Sequence, residues 1–270
     1  MRKLVLLATA ALAAMALTAA PASARPGASS KACTGWEAAG AGSFSSLDAL
    51  TNVASLARSA GDVTREPSLN ATYEAMPASA KGKGNSKFRA TVKTWVHVIS
   101  DGATGNVSQA VIDSQMSVLN LAFAGFYGGA KSGFTFQLAG VTRTDNAEWY
   151  TARAGGNAER EMKKALHRGG FETLNVYTNL AGGYLGYAYL PGLPESRQYL
   201  DGIVLNWQSM PGASTRFAGR YDLGYTLTHE AGHWINLEHT FFGGCNAKGD
   251  FVDDTPAMLV PSRGCPIGKD

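Results

Sequence analysis

Cysteine is scarce in this sequence, and charge of either sign is nearly balanced. Three cysteines occur among 270 residues, at Cys33, Cys245 and Cys265. The odd number leaves at least one thiol that stays free, pairs with another chain or serves another purpose. The formal net charge is +3, which is too small to indicate nucleic acid as a partner.

Long apolar runs are also missing beyond the amino terminus. Arg2 and Lys3 precede an almost entirely apolar run over residues 4–17, and small residues follow at 22–24. The run has ~14 residues, whereas a spanning helix needs ~20. A cleaved signal peptide over residues 1–24 is therefore favoured over a membrane anchor. The sequence predicts a secreted protein without membrane contact after signal cleavage.

The composition changes near residue 88. Residues 25–88 are rich in alanine, serine, glycine and lysine, and they end in a run typical of a flexible linker. They are predicted to be a pro-region and linker, with a disordered extension as the alternative. From Arg89 onward the pattern is that of a packed domain, which is predicted to occupy residues 89–270.

Strand and helix patterns alternate within this domain. Period-two patterns predict strands over residues 90–99, 134–141, 173–178, 184–190 and 202–207. Helical spacing predicts helices over 107–127, ended by Gly128 and Gly129, and over 157–167. Asp222 is predicted to cap a third helix. The order of the elements predicts an α/β (α+β) domain.

Three of the five histidines, His229, His233 and His239, lie close together in the third predicted helix and after it. Residues four apart on a helix share one face, so His229 and His233 can hold one ion. Zinc binds imidazole nitrogen, and a catalytic zinc site keeps one position for water. Glu230 can accept a proton from that water. A bare His-Glu-x-x-His is equally well explained by a solvated helix face, but the third histidine favours zinc.

The third histidine requires the helix to end before it, since a continuous helix would carry His239 away from His233. Asn236 lies at the required place, because asparagine is second to glycine in adopting left-handed backbone. Glu238, the neighbour of His239, is the alternative third ligand, through its carboxylate. His97 lies in a predicted strand and His167 at a predicted helix end, and both are predicted to be structural.

The site and its surroundings resemble the metzincin clan of zinc peptidases, whose pattern is His-Glu-x-x-His-x-x-Gly-x-x-His. Within that clan the chain is similar to the pappalysin-like family M43, which includes cytophagalysin and ulilysin. The similar stretches are residues 185–191, 201–204, 227–234, 239–245 and 249–256.

This resemblance implies a metzincin-like catalytic domain with a twisted mixed sheet, a backing helix and a zinc-binding active-site helix. It implies His229, His233 and His239 as zinc ligands and Glu230 as general base. Protein or peptide substrates are the implied partners. The edge strand would bind the substrate backbone by strand addition, through residues Tyr184, Leu185, Gly186, Tyr187 and Ala188.

The resemblance also raises questions about calcium and the cysteines. Some relatives bind Ca²⁺ after the third histidine, where oxygen donors are available from Asp250, Asp253 and Asp254; a solvated acidic loop is the alternative. Cys33 is a candidate cysteine switch that keeps a zymogen latent by occupying the fourth zinc position, unless it forms a disulfide or stays idle. Relatives pair the counterparts of Cys245 and Cys265 with other cysteines, but here the two can pair with each other.

Two features depart from the family pattern. Asn236 replaces the usual glycine. The family's methionine-containing turn is expected downstream of Cys265 and is not matched before Asp270, so an incomplete lower subdomain is expected. We predict a secreted zinc endopeptidase that hydrolyses peptide bonds by Glu-assisted activation of zinc-bound water. The alternative is a catalytically impaired zinc-binding fragment or relative that lacks this turn.

Overall fold

The structure is a computed structural model that describes residues 87–245, 249–253 and 255–261. The predicted signal peptide and nearly all of the predicted pro-region lie outside the described residues. The same holds for Cys33, Asp254 and Cys265. The expectations for these parts of the chain stay predictions.

Five strands form one mixed sheet in the order β2-β1-β3-β5-β4. The strands β2, β1, β3 and β5 run parallel, and β4 pairs antiparallel with β5 at one edge. The predicted α/β class with a mixed sheet is confirmed. The strand bounds are Ala90–Ser100 (β1), Phe134–Asp145 (β2), Thr173–Asn179 (β3), Gly186–Ala188 (β4) and Ile203–Asn206 (β5).

Four α-helices flank this sheet. They are α1 (Gln109–Phe123), α2 (Ala147–Tyr150), α3 (Asn157–Leu166) and α4 (Tyr225–Trp234). Short 3₁₀ turns occur at Ala181–Gly183, Glu195–Leu200 and Trp207–Ser209. Within the described ranges, every helix is too short or too polar to cross a membrane.

Two predicted helix boundaries were wrong. Helix α1 ends at Phe123 rather than near Gly128, because Gly125 adopts left-handed backbone with φ 77°. The amides of Gly125 and Phe126 then bond to the carbonyls of Ala122 and Leu121, which is a Schellman stop. Helix α4 is capped by Gly224 rather than Asp222, whose carboxylate instead accepts the Gly219 amide at 3.1 Å.

The two faces of the sheet bury different chemistry. We call one the aliphatic face, since strand residues such as Val96 and Leu205 pack there with Ile112 of α1 and Leu227 of α4. The other is the aromatic face, where α3 covers a cluster that includes Tyr150, Met162, Tyr177, Tyr187 and Tyr189. Neighbouring strand residues alternate between the faces, as the period of a strand requires.

Candidate active site

Helix α4 is fixed by its apolar side. Leu227, Ala231 and Trp234 follow a spacing of three and four residues and are buried on the aliphatic face. The amino end of the helix is fixed as well, because the Gln115 side chain donates to the Gly224 carbonyl at 2.9 Å. This packing leaves His229 and His233 on a different side of the helix, where His229 is exposed and His233 is largely buried.

The end of α4 turns the chain back towards the histidines. Asn236 has φ 78°, and its amide bonds to the His233 carbonyl at 2.8 Å. The Leu237 amide reaches the Gly232 carbonyl at 2.9 Å, which completes a second Schellman stop. The prediction that Asn236 adopts left-handed backbone and breaks the helix is confirmed, and the turn brings His239 back to the other two histidines.

Three imidazole nitrogens converge at this turn. The Nε2 atom of His233 lies 3.1 Å from that of His229 and 3.2 Å from that of His239, and the remaining separation is 3.3 Å. Nitrogens at ~2.0–2.1 Å from one tetrahedral zinc would lie about 3.3–3.4 Å apart. The residues present therefore fit a metal ion of this size. Among the described residues, this is the group able to hold an ion.

The orientation of His233 is set by a second contact. Its Nδ1 atom lies 2.6 Å from the Leu237 carbonyl oxygen, so Nδ1 carries the proton and donates. This tautomer leaves the Nε2 lone pair for a metal, as is usual for metal-binding histidines. The His239 ring stacks on Phe241, with centroids 4.8 Å apart and planes 11° apart, which restricts the third imidazole.

Glu230 is 1% exposed and lies against the edge strand. A Cβ atom placed on Gly186 of β4 would lie 3.1 Å from Glu230 Cγ and 3.2 Å from Oε1. The absence of a side chain at position 186 thus makes room for the carboxylate. A cavity of about 310 Å³ adjoins this place and is lined by Leu185, Arg220, Tyr225, His229 and Glu230 among others.

Other sequence candidates do not join the group formed by the three histidines. His97 is fully buried and bonds to Thr142 Oγ1 at 2.8 Å and Asn175 Oδ1 at 3.0 Å. Burial lowers its pKa to about 4, so it is a neutral core residue, as predicted. Glu238 is half-buried and does not join the metal-binding group.

The calcium candidates are not brought together with other ligands in the described part of the chain. Asp250 is buried and accepts the Val252 amide at 3.0 Å, whereas Asp253 is exposed. Since Asp254 lies outside the described residues, the calcium site stays a prediction. The pairing of Cys245 with Cys265 stays a prediction for the same reason.

The sequence did not point to Asp201 as part of this region. Its carboxylate accepts the indole N–H of Trp234, with both oxygens at 3.1 Å. Burial raises the pKa of Asp201 to about 6, and the Trp234 bond opposes that rise. No local sequence pattern pairs an aspartate with a tryptophan 33 residues later.

Known proteins resemble both the sequence and the fold. The peptidase M43 family, described as pregnancy-associated plasma protein-A, matches residues 167–262. An extracellular metalloprotease of Arthroderma benhamiae is 39% identical over 236 residues, which cover 84% of this chain and 76% of the relative. One from Pyricularia oryzae is 44% identical over 67% of this chain and 61% of the relative.

The similar solved structures include mature mirolysin from Tannerella forsythia in complex with a cleaved peptide. It is 27% identical, with a TM-score of 0.53, over 66% of this chain and 75% of that chain. Mirolysin in complex with compound 9 gives the same TM-score over 67% of this chain and 76% of that chain.

Proposed function

The chain belongs to the M43 family of metallopeptidases, and we propose that it is a secreted zinc endopeptidase with Glu230 as its general base. His229, His233 and His239 would hold the zinc ion. The observation that carries this proposal is the convergence of the three Nε2 atoms within 3.3 Å of one another. The neighbouring buried carboxylate of Glu230 supplies the second requirement of the reaction.

The chemistry divides between the ion and the side chains. A bound zinc would polarise the scissile carbonyl and acidify a water molecule. Glu230 would accept the proton of the attacking water on its carboxylate and return it to the leaving amine. Its near-complete burial shields this carboxylate from bulk water, and the lack of a side chain at Gly186 leaves room for it beside the edge strand.

The edge strand β4 is proposed to bind the substrate backbone by strand addition. The Leu185 carbonyl accepts the Asn206 amide of β5 at 2.9 Å, and the Tyr189 amide donates to the Gly202 carbonyl, just before β5, at 3.2 Å. Alternation along a strand then turns the backbone groups of Gly186 and Ala188 to the open edge. Of the five predicted substrate contacts, these two are therefore the best placed for main-chain hydrogen bonds.

Secretion and latency complete the proposal. Relatives are named extracellular metalloproteases, and residues 1–24 have the pattern of a signal peptide. We propose that residues 25–88 act as a pro-region, with Cys33 as the candidate switch. Calcium at Asp250, Asp253 and Asp254 is a further proposal, tested by whether added Ca²⁺ raises the melting temperature.

The test compares the secreted protein with its Glu230→Gln variant. The variant keeps the shape of the side chain but removes the base, so casein cleavage is expected to fall by on the order of 10²–10⁴-fold. Zinc content, measured by atomic emission, is expected to stay the same. Cleavage near the wild-type rate would contradict the role of Glu230, and absence of zinc from both proteins would contradict the metal site.

A further inference from the structure

A buried ion pair lies on the aromatic face of the sheet, on the side opposite helix α4. Lys163 Nζ is 3.1 Å from Glu159 Oε1, and both side chains are 0% exposed. Burial lowers the pKa of Lys163, and the charge of Glu159 opposes that change. Burying two charges carries a large desolvation cost, so such a pair is weak evidence of a contribution to stability. Its contacts point to a different role.

One end of the pair contacts the strand proposed to bind substrate. The Tyr189 hydroxyl, just beyond β4, donates to Glu159 Oε2 at 3.3 Å. Lys163 Nζ lies 4.1 Å from the centroid of the Tyr189 ring, which places it for a cation–π contact. The Gly155 amide also donates to Glu159 Oε2, at 2.6 Å, so the carboxylate that receives Tyr189 is itself held in place.

The Lys163 end of the ion pair is connected to helix α4. Lys163 Nζ donates to the Leu200 carbonyl at 2.7 Å. The next residue, Asp201, accepts the indole N–H of Trp234, the last residue of α4. A continuous set of buried contacts therefore joins the edge strand on one face of the sheet to the helix of the three histidines on the other.

Strand β4 needs such an anchor. It is three residues long and has a single neighbouring strand, so the sheet alone holds it weakly. Yet Gly186 lies so close to Glu230 that an added Cβ would be 3.1 Å from Cγ and 3.2 Å from Oε1, so a shift of the strand would change the surroundings of the carboxylate. Directional contacts to a fixed carboxylate and a fixed ammonium define the position of a side chain more narrowly than apolar packing does.

We propose that Glu159 and Lys163 form a positioning pair that holds the edge strand through Tyr189 at the distance from α4 that substrate binding requires. The inference rests on the proposed function of the site, since it assigns β4 to the substrate backbone. Tyr189 is then a positioning residue for the substrate, although it lies on the face of the sheet away from the three histidines.

The test uses Tyr189→Phe, which removes the hydroxyl and keeps the ring. The matched control is Tyr177→Phe, since the Tyr177 hydroxyl is also buried but has no hydrogen-bond partner among the described residues. For an extended peptide, Tyr189→Phe is expected to raise KM on the order of 3–10-fold. This increase corresponds to part of the free energy of one hydrogen bond to a charged group. Its kcat and zinc content are expected to stay within about twofold of wild type.

A second readout needs no turnover. Hydrogen exchange of the Tyr187 and Tyr189 amides is expected to become faster in Tyr189→Phe, while exchange in α4 stays unchanged. The control variant is expected to leave both regions and the KM unchanged.

Two results would overturn the inference: a lowered melting temperature with an unchanged KM, or unchanged exchange in β4. A wild type that cleaves nothing would refute the proposed function instead, and the exchange measurement would still decide whether the pair anchors the strand.

Discussion

The aliphatic and aromatic faces of the sheet are both buried, but they are held together in different ways. The aliphatic face packs α1 and α4 through branched side chains such as Ile112, Leu119 and Leu227, which need only the right volume. The aromatic face encloses an ion pair and several tyrosines, and the charged atoms of the pair need partners at defined positions.

This difference corresponds to two parts of the site, namely helix α4 on the aliphatic face and the tyrosines at strand β4 on the aromatic face. Helix α4 has an extensive apolar side, so nonpolar packing does most to hold it, with hydrogen bonds to Gln115 and Asp201 at its two ends. The short strand β4 has no such side, and Tyr187 within it and Tyr189 just beyond it contact the charged pair instead. We infer that a change of side-chain shape on the aliphatic face costs less stability than the loss of one charge on the aromatic face.

The largest effect is expected from Lys163→Ala on the aromatic face. The change leaves Glu159 charged and buried without its cation, which typically costs about 3–5 kcal/mol. Urea denaturation at pH 7 in the presence of a chelator would measure the loss. The double variant Glu159→Leu with Lys163→Met removes both charges and is expected to recover most of it. A single variant that loses under 1 kcal/mol would contradict the contrast between the faces, as about this little is expected of an exposed pair.

Leu227→Ala tests the aliphatic face in the same denaturation assay. The side chain is 1% exposed, so truncation is expected to cost about 2–5 kcal/mol through lost burial and a cavity. Leu227→Met keeps the volume and is expected to cost less than about 1.5 kcal/mol. Equal losses for the two variants would show that this face also depends on specific shape.

The pH dependence of the unfolding free energy tests whether His97 is buried as a neutral side chain on the aromatic face. Its pKa falls from 6.5 to about 4 in the folded protein, so the unfolded chain binds more protons between these values. The stability that His97 contributes is present above pH 6.5 and is lost as the pH falls towards 4. Relative to His97→Gln, the wild type is expected to lose about 2 kcal/mol of unfolding free energy between pH 7.5 and pH 5.

The comparison of the wild type with His97→Gln also controls for other titrating groups. Asp201 titrates in the same interval with the opposite sign, since its pKa is raised to about 6, but it is present in both proteins and cancels in the difference. A difference that stays constant with pH would show that His97 is not held neutral by burial.

The smallest effect is expected at the two Schellman stops of the aliphatic face. Asn236→Ala places alanine at φ 78° and is expected to cost about 1 kcal/mol, whereas Asn236→Gly is expected to be neutral or slightly stabilising. Gly125→Ala is expected to cost more, because its Cβ would lie 2.8 Å from the Gly129 carbonyl oxygen. Melting temperatures would rank the three variants, and a reversed order for the two alanine variants would contradict this account of the turns.

Local patterns were sufficient where the structure depends on neighbours in sequence. The α/β class, the long strands and the turn at Asn236 follow from periodicity and from backbone preference, and the structure confirms them. The boundary of α1 was wrong because three glycines follow within a few residues, and the pattern does not say which one adopts left-handed backbone first. The choice of Asp222 as a cap failed because Gly224 packs against Pro211 and Gln115, which are distant in sequence.

The supports of the site could not be predicted for the same reason. Glu159, Lys163 and Tyr189 are separated by up to 30 residues, and each alone is typical of a solvated helix or an ordinary strand. Only the packing of α3 on the aromatic face of the sheet brings them together. The three histidines were easier to find, because their spacing lies within one helix and the turn that follows it.

The most direct test of the central claim is the zinc content of four purified proteins: wild type, His239→Ala, Glu238→Gln and His167→Ala. The account predicts about one zinc per chain in the wild type, since three imidazoles and one open position make a catalytic tetrahedral site. It predicts a sharp loss in His239→Ala and no loss in the other two variants. Undiminished zinc in His239→Ala, with zinc lost in Glu238→Gln, would contradict the three-histidine site and assign the third ligand to the carboxylate.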